Sequence, residues 1–87
     1  MSAEPQLVVY SREDCGLCDE FVAELATGLQ AIGLAFDLRD VDADPLTLRR
    51  YGLKVPVLTL DGEIVCHGRL DLPELLRMLR LPPSMDS

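Results

Sequence analysis

The feature that most limits the folds open to this chain is a change of hydrophobic period across one short turn. Residues 6–10 (QLVVY) are an apolar, β-branched run of strand length, and Ser11-Arg12-Glu13-Asp14 ends it with polar, turn-forming residues. From Gly16 onward the period changes. Leu17, Phe21, Val22, Leu25, Leu29 and Ile32 recur at three- and four-residue spacing, which is the apolar stripe of an amphipathic helix. Asp19 and Glu20 suit the positive end of its dipole, and Gly33 supplies a stop. The chain therefore opens with a buried strand that passes straight into a helix.

The remaining pattern completes a sheet. Leu34, Phe36 and Leu38 alternate with Ala35, Asp37 and Arg39, predicting a second strand with one buried face. Asp44 as N-cap and Pro45 in the first position start a short helix to about Tyr51, which Gly52 closes. Residues 55–60 (VPVLTL) and 63–66 (EIVC) flank Asp61-Gly62, a two-residue hairpin signal, so these strands are predicted to pair antiparallel. Asp71, three residues before Glu74, caps a last helix carrying Leu72, Leu75, Leu76 and Leu79, and Pro82-Pro83 forbids its continuation. The predicted order is β-α-β-α-β-β-α: an α/β fold with a mixed four-stranded sheet flanked by helices, its first two strands parallel. Eighty-seven residues hold one hydrophobic core, expected over residues 6–81 with a flexible tail at 82–87.

The charge balance narrows the partners. Eight Lys and Arg against fifteen Asp and Glu give a net charge of −7, which repels phosphate backbones and anionic lipid, so neither nucleic acid nor membrane is expected. The start MSAEPQ has neither the basic nor the apolar region of a signal peptide, and the expectation is a cytoplasmic monomer. Three cysteines are an odd number and too few for a disulfide-stapled scaffold, so thiol or metal chemistry outranks structural bridges.

Two of those thiols carry the chemistry. Cys15-Gly16-Leu17-Cys18 lies where strand hands over to helix, placing Cys15 at the free N–H groups of the helix start, where a thiolate is stabilised. The two-residue gap spans one helical turn and lets Cys18 approach the Cys15 sulfur, making a reversible two-electron switch. Zinc needs about four ligands; only Cys66 and His67 remain nearby in type, and no metal site is assigned.

Taken together, LVVYSREDCGLC, DVDADPLTLRRYGLKVPVLTLDG and GRLDLPELLRML resemble the glutaredoxin-like branch of the thioredoxin-fold proteins across residues 6–81. The resemblance implies a thioredoxin-like fold and a thiol-disulfide oxidoreductase in which Cys15 attacks and Cys18 resolves. It implies that Val55-Pro56 is a cis-proline dipeptide beside the CxxC, although sequence statistics alone favour trans. By the same resemblance Val55 pairs through its backbone with the cysteinyl part of glutathione, and Arg12 stands near a glutathione carboxylate. The Asp71 helix start would lie near that ligand as well. Leu17, within the CxxC, and Gly68 complete the substrate-binding set. The family's usual middle dipeptides, Pro-Tyr or Gly-Pro, are replaced by Gly16-Leu17, and of the family's later Gly-Gly pair only Gly68 corresponds. The expected partners are a disulfide-containing protein or a glutathione mixed disulfide, with glutathione as co-substrate and no tightly bound cofactor. The alternatives are a module binding glutathione or an iron–sulfur cluster, and a redox-inert adaptor.

Other residues have plainer readings. Cys66 alternates with Ile64 and is expected to pack, and His67 is expected in water at the strand end. Arg49, Arg50 and Lys54 form a basic patch just before Val55-Pro56.

Overall fold

The computed structural model describes residues 4–80; Leu81 and the tail expected at 82–87 lie outside the described residues. Strand β1 (Leu7–Ser11) runs parallel to β2 (Asp37–Asp40) and antiparallel to β3 (Val57–Leu60), which pairs antiparallel with β4 (Glu63–His67). The sheet order is β2-β1-β3-β4. Helix α1 (Gly16–Ile32) links β1 to β2, α2 (Pro45–Tyr51) precedes β3, and α3 (Leu72–Met78) follows β4. A single 3-10 turn at Val41–Ala43 leads into α2.

Side chains of the two central strands alternate between two cores, as the period of a strand requires. Leu7, Val9, Leu58 and Leu60 join Phe21, Leu25, Leu29, Val65 and Leu75 in the larger one. Tyr10 and Val57 belong to a smaller cluster with Val41, Tyr51 and Val55. There the Tyr10 and Tyr51 rings stack with centroids 4.8 Å apart. The sheet is thus covered by α1 and α3 through one cluster and by α2 through the other.

Short-range chemistry sets most element ends. The Asp44 carboxylate accepts the Leu46 N–H at 2.8 Å, and the Asp71 carboxylate accepts that of Glu74 at 3.1 Å. Gly33 ends α1 in the left-handed region, at φ 73°. Asp61 and Gly62 both have positive φ, 50° and 90°, as a two-residue type I′ hairpin demands.

Three details differ from expectation. The second strand covers Asp37–Asp40 rather than residues 34–39, and all four of its residues are exposed. Leu34 and Phe36 reach the larger core from the connection ahead of it, leaving Leu38 55% exposed on a strand with no covered face. Strand β3 begins at Val57, one residue after Pro56, which has no N–H to give a ladder. Gly52 follows α2 in the right-handed region, so it does not act through a left-handed stop. A Cβ there would meet the Leu48 carbonyl oxygen at 2.5 Å, so a close approach of backbone is what needs glycine.

Candidate active site

Strand β1 and helix α1 meet at the CxxC, and the two cysteines are held differently. Cys15 is the N-cap of α1, with extended backbone, and its Sγ accepts the N–H of Cys18 at 3.1 Å. It is partly exposed, whereas Cys18, one turn inside the helix, is 3% exposed. Both thiols are free. Burial, and then the hydrogen bond with Cys15, pushes the Cys18 thiol from its ordinary 9.0 up to about 11, against the pull of the Arg12 backbone N–H. One sulfur thus sits at the helix entrance with an N–H aimed at it, and the other is kept as a neutral thiol beneath.

The dipeptide Val55-Pro56 lies at the same end of the sheet, because β3 starts opposite Tyr10, near the end of β1 that leads to Cys15. Its peptide bond is cis. Pro56 is buried, and its carbonyl accepts the Gly68 N–H at 2.8 Å. Gly68 has φ 77°, a conformation that side chains resist, and nothing crowds its missing Cβ. Leu17, 49% exposed, and Gly68 both line a groove of about 350 Å³, together with Glu20, Phe21, Glu24, Arg69 and Leu70. Cys15, Cys18, Val55, Pro56, Leu17 and Gly68 therefore cluster around the CxxC end of the sheet.

Arg12 and Asp71 have intramolecular employment. The Arg12 guanidinium gives Nε and Nη2 to the two carboxylate oxygens of Asp42, at 2.9 and 3.1 Å, and Nη1 to the Gly52 carbonyl at 3.1 Å. It braces the CxxC loop against the start and end of the α2 segment. Asp71 has its carboxylate on Glu74 and its own N–H on the Cys66 sulfur, at 3.4 Å. Both groups that the resemblance directs at a ligand carboxylate are thus already paired. Asp42 and Gly52 were not foreseen, since nothing in the order of residues links Arg12 to a carboxylate thirty positions on. Cys66 is half-buried against the larger core, where burial pushes its thiol up, and His67 is exposed, both as expected. Among the described residues no three His, Cys, Asp or Glu side chains are grouped to hold a metal ion, and no helix is long and apolar enough to cross a membrane.

Comparison with known proteins bears on the fold and the family. A protein of X. campestris solved by X-ray is 38% identical, with a TM-score of 0.66 over 88% of this chain and 99% of that one. The solution structure of a Nitrosomonas europaea protein is 28% identical with a TM-score of 0.77, covering 94% of this chain and 96% of that one. Fasciola hepatica thioredoxin, at 18% identity and a TM-score of 0.56 over 88% of this chain and 79% of that one, shares the fold. No curated protein matches the chain. The thioredoxin-like fold expected from the sequence is therefore present. Residues 6–80 match the Glutaredoxin-like domain (DUF836), and the chain belongs to that family.

Proposed function

We propose that the protein is a thiol-disulfide oxidoreductase in which Cys15 attacks and Cys18 resolves. One observation carries the reading: the partly exposed Cys15 sulfur receives the Cys18 N–H at 3.1 Å, while Cys18 itself is buried and stays protonated up to about pH 11. Cys15, as thiolate, attacks one sulfur of a substrate disulfide; a mixed disulfide forms and the other substrate sulfur leaves as a thiolate. The Cys18 thiol then gives up its proton and attacks the Cys15 sulfur. The Cys15–Cys18 disulfide forms and the second substrate sulfur departs, so the substrate gains two electrons and two protons. An external thiol, with glutathione as the candidate co-substrate, returns the pair to its reduced state.

The split exposure of the two thiols suits this division of labour. A buried, protonated Cys18 does not compete for substrate, and it becomes a nucleophile only when the mixed disulfide places a sulfur leaving group beside it. Cys18→Ser is expected to accumulate a mixed disulfide on Cys15, seen by mass spectrometry after acid quenching, and Cys15→Ser to abolish disulfide reduction. An adduct that builds up on Cys18 in the Cys15→Ser variant would reverse the roles. A wild-type protein that reduces no small disulfide would leave the fold with a non-redox role.

A further inference from the structure

The longest stretch of this acidic chain without a carboxylate also gathers basic residues. Residues 45–60 contain no Asp or Glu, in a sequence with fifteen of them, and they hold three of its eight basic residues: Arg49, Arg50 and Lys54. All three are exposed, and among the described residues none of them enters an ion pair. The same stretch carries large apolar side chains in water. Leu46 is 59% exposed, Leu48 43%, and Leu53 fully exposed at 104%.

These groups share a face. Leu46, Arg49, Arg50 and Leu53 stand at i, i+3, i+4 and i+7, the spacing of one helix side. The helical path continues past Tyr51, because Gly52 has φ −57° and ψ −31° and gives its N–H to Leu48 at 2.8 Å. Two leucines therefore bracket two arginines, while Leu48 packs over Gly52 on another side of the helix. A single exposed leucine carries little information, but an acid-free stretch of this composition in a chain of charge −7 does.

The face is also fastened to the reacting end of the molecule. The Gly52 carbonyl takes the Arg12 Nη1 at 3.1 Å, three residues before Cys15. Beyond Leu53 and Lys54 the chain enters Val55-Pro56 directly. The stretch is thereby tied at its C-terminal end to the loop that carries Cys15. At physiological salt, charges beyond about 8 Å are screened, so a ligand here feels the local basic groups more than the net charge. A long polyanion would run onto Asp40 and Asp44, which lie just ahead of α2. A short acidic segment with apolar side chains would not.

We propose that the face formed by Leu46, Arg49, Arg50, Leu53 and Lys54 docks an acidic, partly apolar polypeptide segment that flanks the substrate disulfide. It selects protein disulfides with acidic neighbours for presentation to Cys15. This rests on the thiol-disulfide reading above for the reaction, but the docking is measurable without it.

Two peptides that differ only in their charged residues are used, each carrying a mixed disulfide and two leucines, one with Asp and Glu neighbours and one with Lys neighbours. Wild type is expected to reduce the acidic peptide at least about fivefold faster in kcat/KM at low salt, with the ratio shrinking at high salt. The triple variant Arg49→Glu, Arg50→Glu, Lys54→Glu is expected to invert the ratio. Because the ratio is internal to each variant, partial loss of folding does not imitate an inversion, and Arg50→Gln alone should move it part of the way. Leu53→Ser should slow both peptides and keep their order. Fluorescence anisotropy on the Cys15→Ser, Cys18→Ser protein reads binding of a disulfide-free acidic peptide separately. Peptides reduced at equal rates would overturn the docking proposal and leave the redox reading standing. Tight acidic-peptide binding without any disulfide reduction would do the opposite. A dimer dissolved by the triple variant would give the face to a second copy. Tighter binding of an oligonucleotide or of phosphatidylserine vesicles would give it to a polyanion, and either result overturns the proposal.

Discussion

Arg12 holds both carboxylate oxygens of Asp42, thirty positions further on, through Nε at 2.9 Å and Nη2 at 3.1 Å. A bidentate pair fixes direction as well as distance. Since Arg12 is the fourth residue from the end of the loop that carries Cys15, the pair sets where that loop leaves β1.

The pair has a pH signature. The hydrogen bond from Arg12 holds the Asp42 carboxyl below its ordinary value. Its stabilisation is present while Asp42 is charged and is lost as pH falls through that lowered value. Asp42→Asn is expected to melt at a lower temperature than wild type at pH 7, and the gap to close in strong acid and to narrow in 1 M salt. Thermal melts under the three conditions check this. A gap that survives acid would show that charge is not what holds Arg12.

Cys18 gives the opposite sign at the other end of the scale. Its thiol is neutral in the folded state up to about pH 11 but ionises near 9.0 when unfolded. The folded protein therefore holds a proton that the unfolded chain has lost, and stability declines between those two values. The loss is on the order of 3 kcal/mol. Urea midpoints measured from pH 8 to pH 11 should fall, and Cys18→Ala should flatten much of that fall. The half-buried Cys66, raised in the same direction, accounts for part of the remainder. Equal slopes in wild type and Cys18→Ala would contradict the burial argument.

Cys66 is expected to be dispensable for chemistry. Its sulfur packs against the larger core and accepts the Asp71 N–H at 3.4 Å, so it supports the β4–α3 connection. Cys66→Ala should cost about 1 kcal/mol in stability and retain most disulfide reduction. A tenfold loss of turnover with an unchanged melt would make it a third redox thiol.

Gly68 separates backbone conformation from crowding. Its φ of 77° lies in the left-handed region and no atom lies within 4 Å of the position a Cβ would take. Gly68→Ala should therefore cost about 1–2 kcal/mol through conformation alone, and Gly68→Asn less, since Asn tolerates that region. Urea denaturation of the two variants decides. Equal costs would contradict the argument from the torsion, since both variants keep the N–H that bonds Pro56.

What could be read from the sequence was local. Asp44 with Pro45, Asp71 with Glu74, Asp61 with Gly62, and Gly33 each act within four residues, and each takes the predicted role. The CxxC was legible for the same reason, since strand, turn and helix adjoin. Beyond that range the pattern misled. The alternation of Leu34, Phe36 and Leu38 suggested one continuous strand, but the ladder with β1 forms only over Val8–Ser11 opposite Asp37–Asp40, so tertiary register overrode local period. The resemblance placed Arg12 near a glutathione carboxylate, whereas its pairing with Asp42 was not legible, because thirty positions along the chain hide their nearness in space.

The exposed strand β2 has a bearing on solubility. It forms an outer edge of the sheet, with one side of its backbone unpaired by β1, and such edges recruit strands from other molecules. Here the edge reads Asp-Leu-Arg-Asp, with Leu38 between charged neighbours and an Arg39–Asp37 pair at 3.3 Å. A second strand added there would have to strip water from three charges to gain one leucine. The short, charged β2 thus guards the molecule against edge-to-edge aggregation.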